Sequence, residues 1–406
     1  MTHLFKNLQL FNGTSDEVVA NSIILTENGT ITYAGSAAES PQIPANAEIT
    51  DLDNQFVMPG MVETHAHLSF ADASPFAIGQ TPVESATITA VKNAQKMVNA
   101  GFTSAVSFGS TYAIDVALRD AINNGQIVGP RLMAAGRDLG ATASNVDSGS
   151  GLSQIADGPW ALRQAVRQQR KQRVDVVKIF IDGEAINPTC PPGELSFTNE
   201  EVNAVVDEAH RRKLKVACHA RSAAAVKQAV LANVDFIGHA NYLDNEAIDL
   251  LAAKRDSIFV GPAIAWEVQY LAQCESLGIP KAVAIKQGYE AEIEATIESV
   301  AKMRAAGIKL VVGGDYGISI APHGTYAKDL EYFVELFGMS EIEAIRCATR
   351  NGGEMMSAYR DLGTLVANAP ADFVAVSENP LSDITVLQHH NNLTVFKGGD
   401  KVSESN

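Results

Sequence analysis

Two histidines separated by one alanine, His65 and His67, stand near the end of the run VMPGMVETHAHLSF. In a strand, positions i and i+2 share a face, so both imidazoles point the same way. Such a pair can grip one metal ion, or can be two ordinary hydrogen-bonding side chains. Other apolar runs end in similar chemistry: His219 in KLKVACHA, His239 in VDFIGHA, and Asp315 after VVGG. A further run, VDVVKIFI, carries Lys178 in its interior. A buried ammonium ion is costly, so this lysine either snorkels to the strand end or is discharged. A neutral amine can react with carbon dioxide to give a carbamate, which replaces a cation by a carboxylate-like bridge between two metals. Asp315 is either a cap or structural acceptor or, opposite a metal, a general base and acid. Two divalent ions bridged by water supply hydroxide near neutral pH and polarise a carbonyl. Asp315 would take the proton from that water and return it to the leaving nitrogen.

These residues need a scaffold that brings strand ends together. From Val57 onward the chain cycles between apolar strands and helical stretches. The strand candidates are VMPGMVETHAH, FTSAVSF, RLMAAG, VDVVKIFI, KLKVACHA, VDFIGHA, SIFVGP and IKLVVGGD. Helical spacing marks ESATITAVKNAQKMVNA, EEVNAVVDEAHRRK, AAAVKQAVLA, EAIDLLAAK and YEAEIEATIESVAKMRAAG between them. Continuous apolar strands alternating with helices predict a parallel sheet covered on both faces. Eight such units fit a closed (β/α)8 TIM barrel, whose active site lies at the C-terminal strand ends. An open doubly wound sheet is the rival, but no Gly-x-Gly-x-x-Gly follows a strand. Four of the nine histidines then fall at the barrel mouth. His3, His210, His389 and His390 carry no expected site role.

Residues 1 to about 58 read as short strands and turns, with Asn28-Gly29 a hairpin signal. A helix pair is expected near 325–348. Beyond it, DLGTLVANAPADFVAVSENPL reads as strand, turn, strand, and NLTVFKGGDKV as a hairpin. The expected architecture is therefore a barrel over 58–359 and a small composite β-sandwich from 1–57 and 360–406.

Composition bounds the function. The 406 residues are 46% hydrophobic and 19% charged, ordinary for a soluble enzyme. A formal charge of -16 argues against nucleic acid or an anionic membrane as partner. Four scattered cysteines without a C-x-x-C pair fit reduced thiols in a cytoplasm. Neither a signal peptide nor a membrane-spanning run is read. The NGT triplets at Asn12 and Asn28 are expected to be turn chemistry. A small-molecule substrate is expected. A homo-oligomer is allowed by the sequence but marked by nothing in its helices.

Taken together, VMPGMVETHAHL, AGFTSAVSFG, VDVVKIFIDG, VACHA, IGHA, GGDYG, HGTYAKDLEYFVELFGMSEIEAIRCATRNGG and LGTLVANAPADFVAVSENPLSDI span nearly the whole chain. Their combination resembles the metal-dependent amidohydrolase superfamily, in its imidazolonepropionase-like and Xaa-Pro dipeptidase-like branch. The resemblance implies a zinc pair. His65, His67 and Asp315 would hold the more buried ion, His219 and His239 the more exposed one, and carboxylated Lys178 would bridge them. Two departures stand out. Glu63 occupies a position where many relatives have Asp, and the loop GRDLGATASNVDSGSG lacks a histidine that relatives often carry after strand 3.

The expected reaction is hydrolysis of an amide C–N bond in an N-acyl amino acid, a dipeptide or an amino-acid-conjugated amide. Cyclic amides, aryl ureas and carbamates form the alternative substrate class. A metal-dependent decarboxylase or isomerase, or a binding protein that has lost chemistry, are the alternatives outside hydrolysis. All six metal positions are filled, which disfavours the last, and Lys178 disfavours a mononuclear deaminase. Arg221, Tyr242, Tyr316 and His323 follow strands and are candidates for substrate contact. Arg221 could pair bidentately with a substrate carboxylate or sit in a structural ion pair. His323 could cap the following helix or donate to substrate. The proline-rich loop GEAINPTCPPGELSF suits a wall over the pocket.

Overall fold

The computed structural model describes residues 1–147 and 151–403; part of the strand-3 loop, at 148–150, lies outside them. The chain opens with β1 (Thr2–Phe11), β2 (Val18–Glu27), β3 (Thr30–Ser36) and β4 (Glu48–Pro59). Three of these run to 10 or 12 residues, longer than the short strands expected. Asn28 and Gly29 take positive φ of 50° and 82° and close the predicted hairpin, with Glu27 opposite Thr30. At the other triplet, Asn12 Oδ1 accepts the Thr14 backbone N–H at 2.8 Å, a side-chain-closed turn.

Gly60 passes the chain directly from β4 into β5 (Met61–Ala66), where a Cβ would lie 2.1 Å from Thr103 Oγ1. β5, β6 (Phe102–Ser107) and β7 (Arg131–Met133) form a parallel three-stranded sheet. Then come β8 (Asp138–Gly140), β9 (Ser153–Ile155), β10 (Val176–Phe180) and β11 (Lys215–Ser222). β12 (Phe236–Tyr242), β13 (Phe259–Gly261) and β14 (Lys309–Leu310) follow. They form a parallel sheet in the order β14-β13-β12-β11-β10-β8-β9. The two sheets meet at two seams. Thr64 N–H donates to the Val312 carbonyl at 3.0 Å, and Val176 N–H to the Ala134 carbonyl at 3.1 Å.

All eight expected strands of this region are present. β8 and β9 are additional, at three residues each too short to show a period. β14 stops at Leu310, so Asp315 does not close a strand as expected but follows it on irregular backbone. The helices begin with α1 (Val83–Asn99), α2 (Ile114–Asn123), α3 (Pro159–Gln172) and α4 (Asn199–Arg211); α1 and α4 match named helical stretches, and α2 and α3 are additional. The series continues with α5 (Ala223–Leu231), α6 (Asn245–Ala253), α7 (Ile264–Gln273), α8 (Lys281–Lys286) and α9 (Tyr289–Ala305). The predicted pair near 325–348 is α10 (Lys328–Glu335) and α11 (Glu341–Arg346). Side-chain caps set several starts: Thr198 and Glu201 form a capping box on α4, and Ser222 and Asp244 cap α5 and α6.

The chain ends in β15 (Phe373–Val376), β16 (Leu393–Lys397) and β17 (Asp400–Lys401). Only the last four residues of DLGTLVANAPADFVAV form a strand. Gly363 and Asn368 adopt φ of 78° and 73°, and this turning backbone replaces the expected first strand. The last hairpin is present, turning at Gly398-Gly399. Both chain ends combine into one seven-stranded sheet, β17-β16-β15-β4-β1-β2-β3. This terminal sheet is tied to the parallel strands near β7. Arg131 donates twice to Asp372, at 2.6 and 2.9 Å, and Lys397 Nζ donates to the Gly129 carbonyl at 2.6 Å. Among the described residues, no helix is long and apolar enough to cross a membrane.

Candidate metal centre

β5 delivers His65 and His67 to one end of the parallel strands, as the i, i+2 spacing requires. Both face Asp315: Oδ1 lies 3.1 Å from His67 Nε2 and 3.7 Å from His65 Nε2. His67 Nδ1 lies 3.0 Å from the Gly109 carbonyl, which can only accept, so Nδ1 carries the proton and Nε2 is left as the donor atom. β12 brings the His239 ring to 5.2 Å from that of His65. β11 brings His219 to 4.3 Å from His239, and Phe180 stacks on its other face at 4.4 Å. Lys178 on β10 is fully buried, donates to the Phe108 carbonyl at 3.3 Å, and lies 4.7 and 4.6 Å from the Phe108 and Phe180 rings. All six residues expected at the strand ends thus converge.

Electrostatics sort them. Burial holds His65, His219 and His239 well below the usual imidazole range, so they are neutral. Burial also lowers Lys178, against the pull of Asp138 and Asp315. Asp315 runs the other way. Burial alone would raise it, but His65, His67 and Lys178 together hold its carboxyl well below the usual range.

Two acidic residues that the sequence reading missed complete the site. Asp138, at the start of β8, is fully buried, and burial pushes it up to about 7 while Lys178 and His67 oppose. Glu184, in the loop after β10, has Oε1 3.7 Å from His219 Nδ1. Neither ends a long apolar run, so periodicity gave no signal for them.

The donor atoms fit a divalent cation. One group, His65, His239 and Asp315, and another, Glu184, His219 and His239, each keep their ligand atoms within 4.8 Å of one another. Both His239 nitrogens, His65 Nδ1 and Asp138 Oδ1 are buried without a protein hydrogen bond. Each such orphan costs roughly 1–3 kcal/mol unless something answers it. Neutral imidazoles and carboxylates are the ligands zinc takes. His239 belongs to both groups, where the sequence reading assigned it to the more exposed ion.

The site opens into a cavity of about 470 Å³. Its walls are mainly apolar, with Phe70, Leu152, Phe180, Ile186, Trp266 and Ile318 among them. Ile186, Asn187 and Pro188 come from the proline-rich loop, which is a wall as expected. The substrate-contact candidates do not line it. Arg221 is buried, and its Nη1 bonds to Glu267 at 2.5 Å and Glu292 at 2.7 Å, the structural alternative foreseen for it. Tyr242 is absent from the lining, and Tyr316 is buried beside Tyr326. His323 is likewise buried, with Nδ1 2.7 Å from the Tyr326 hydroxyl, and burial lowers it to about 4.

The chain is similar to several known proteins. The Aspergillus niger ochratoxinase is 28% identical over 410 residues, covering 94% of this chain and 83% of the relative. Its crystal structure superposes with a TM-score of 0.89 at 26% identity, over 99% of this chain and 95% of that one. A Xaa-Pro dipeptidase with methionine bound in its active site gives 0.86 at 28% identity, over 99% of each chain. The sequence profile of the amidohydrolase family matches residues 56–402. The chain belongs to the amidohydrolase family and is a hydrolase acting on carbon–nitrogen bonds.

Proposed function

We propose that this protein is a binuclear zinc amidohydrolase that cleaves the amide of an N-acyl amino acid, a dipeptide or an amino-acid-conjugated amide. The observation that carries this is the pair of donor groups meeting at His239 beneath one apolar cavity. Residues 58–359 would be the catalytic (β/α)8 barrel, and 1–57 with 360–406 the β-sandwich domain. The four cysteines are free and buried, which supports a reducing, cytoplasmic setting.

His65, His67 and Asp315 would hold one ion, His219 and His239 the other, with Lys178 as the carbamate between them. Bound there, two divalent ions lower the pKa of water and polarise a carbonyl. The side chains do the rest. His67, fixed by the Gly109 carbonyl, presents its bare Nε2 beside Asp315 Oδ1 at 3.1 Å, so that both would offer lone pairs to the same ion. Asp315 stays ionised and is the group that accepts a proton and passes it to the leaving nitrogen. Burial of Lys178 favours the neutral amine that reacts with carbon dioxide: N–C bond formation, with loss of one proton from the nitrogen to solvent, leaves a carbamate anion. Phe180, Trp266 and Ile186 would take the apolar part of the substrate and exclude water.

One observation favours a second reading. No lysine or arginine is among the described lining residues, so no side-chain cation is presented to a substrate carboxylate. Neutral substrates (aryl ureas, carbamates or cyclic amides) would suit such a wall. Turnover by the zinc-loaded protein on a mixed panel decides. Activity confined to N-acyl amino acids and dipeptides supports the first reading, and activity only on the neutral set supports the second. Lys178→Ala should lose both the metal pair and turnover, and full activity in that variant would end the carbamate assignment.

A further inference from the structure

We propose that Glu184 is a third protein ligand of the ion held by His219 and His239, tying the cavity wall to the metal. This rests on the binuclear reading and adds to it a residue that none of the expected ligand positions includes.

The first argument is the tautomer of His219. Its Nε2 lies 3.3 Å from the Gly183 carbonyl, which can only accept, so Nε2 carries the proton. Nδ1 is then a bare lone pair, and it faces Glu184 Oε1 at 3.7 Å. Two acceptors aimed at each other in a buried site repel unless a cation lies between them. Zinc–nitrogen and zinc–oxygen bonds of about 2.0–2.2 Å span such a gap. His239, whose two nitrogens have no protein partner, completes the triangle with all donor atoms within 4.8 Å.

The second argument is charge. The natural partner for Glu184 would be Arg221, but Oε1 stands 3.7 Å from its Nη2, beyond hydrogen-bond distance. Arg221 already bonds to Glu267 and Glu292 through Nη1. Three carboxylates therefore face one guanidinium in a buried cluster, and two negative charges are in surplus when all three are ionised. A divalent cation on the His219 side answers this surplus.

The backbone aims the residue. Glu184 N–H donates to the Cys190 carbonyl at 2.9 Å, and a Cβ on Gly183 would fall 1.7 Å from that same oxygen. The loop is thus folded onto itself with the Glu184 side chain facing the cavity. A ligand on this loop couples ion binding to the position of Ile186, Asn187 and Pro188, which line the same wall.

The test is Glu184→Gln, which keeps the shape and removes the anionic donor. Metal content after dialysis and zinc affinity against a competing chelator are measured on both proteins, with thermal unfolding of both metal-free forms. Wild type should hold about two ions per chain. Glu184→Gln should hold the second at least about 100-fold more weakly, since even outer-shell partners are worth 10–100-fold. Its metal-free form should unfold with wild type. Unchanged affinity for both ions overturns the proposal. Unchanged affinity with a less stable metal-free form also overturns it and returns Glu184 to the Arg221 cluster. Fewer than two ions on wild type removes the binuclear reading itself, before any variant is made. If Glu184→Gln does not fold, Glu184→Asp, which draws the charge back by one methylene, takes its place with the same expected loss.

Discussion

At the scale of single residues, the site is assembled on backbone that L-amino acids avoid. Asp315 has φ of 60°, and His239 and Ala240 have 82° and 57°. Such residues cost of order 1–3 kcal/mol each and persist where the surroundings over-determine them. Here the turned backbone aims Asp315 at two imidazoles at once. Asp315→Asn keeps the shape of the side chain and should retain the fold while lowering kcat by about 10²–10⁴, the usual worth of a general base. Steady-state kinetics on a substrate found by the panel reads this, and an unchanged rate would remove Asp315 as proton carrier. The residues that converge were legible because histidine, lysine and aspartate stood out within or just after apolar runs. Glu184 and Asp138 were not, because a carboxylate in a loop or at the start of a three-residue strand looks like any surface acid. Arg221 was open to two readings for a similar reason: Glu267 and Glu292, which claim it, lie 46 and 71 positions away.

At the scale of elements, turns were readable where the signal was local, as at the Asn28-Gly29 hairpin. A capping box fixes the start of α4: Thr198 accepts from Glu201 N–H while the Glu201 side chain accepts from Thr198 N–H. Thr198→Ala should cost about 1 kcal/mol in chemical denaturation and leave kcat/KM unchanged, since Thr198 does not line the cavity. The irregular end of β14 shows where local reading stops. IKLVVGGD has the texture of a strand, but a Cβ on Gly313 would sit 2.8 Å from His65 N, so the chain there is shaped by close passage against β5. Nothing within the run announces a neighbour some 250 residues earlier. β8 and β9 escaped for a different reason, since three residues cannot display a period of two.

At the scale of the molecule, the terminal sheet and the parallel strands meet around Arg131, Asp372 and Lys397. Burial pushes the Lys397 ammonium down to about 8 from 10.5, with Arg131 adding and Asp372 opposing. Below pH 8 both folded and unfolded chains carry this proton, and the cost of burying the charge is felt in full. Between about 8 and 10.5 the folded chain releases it first, so the unfolded chain binds more protons and stability rises with pH. The rise attributable to this group is about 3 kcal/mol, at 1.36 kcal/mol per pKa unit. Urea unfolding of wild type and Lys397→Met across that range should show the gain only in wild type. A difference independent of pH would mean that Lys397 is not discharged there.

That same sheet governs how the protein fails. Its outer positions are held by β3 and by β17, the latter two charged residues, Asp400 and Lys401, as short and as poor a template for pairing as an edge can be. Two strands further in, behind β16, lies β15, Phe-Val-Ala-Val, entirely buried and free of charge. Any cleavage before Leu393 would strip β16 and β17 together and leave that run as a bare hydrogen-bonding margin. The clipped molecule would then recruit copies of itself strand to strand, so damage at the far end of the chain would surface as turbidity while the machinery for hydrolysis stood intact.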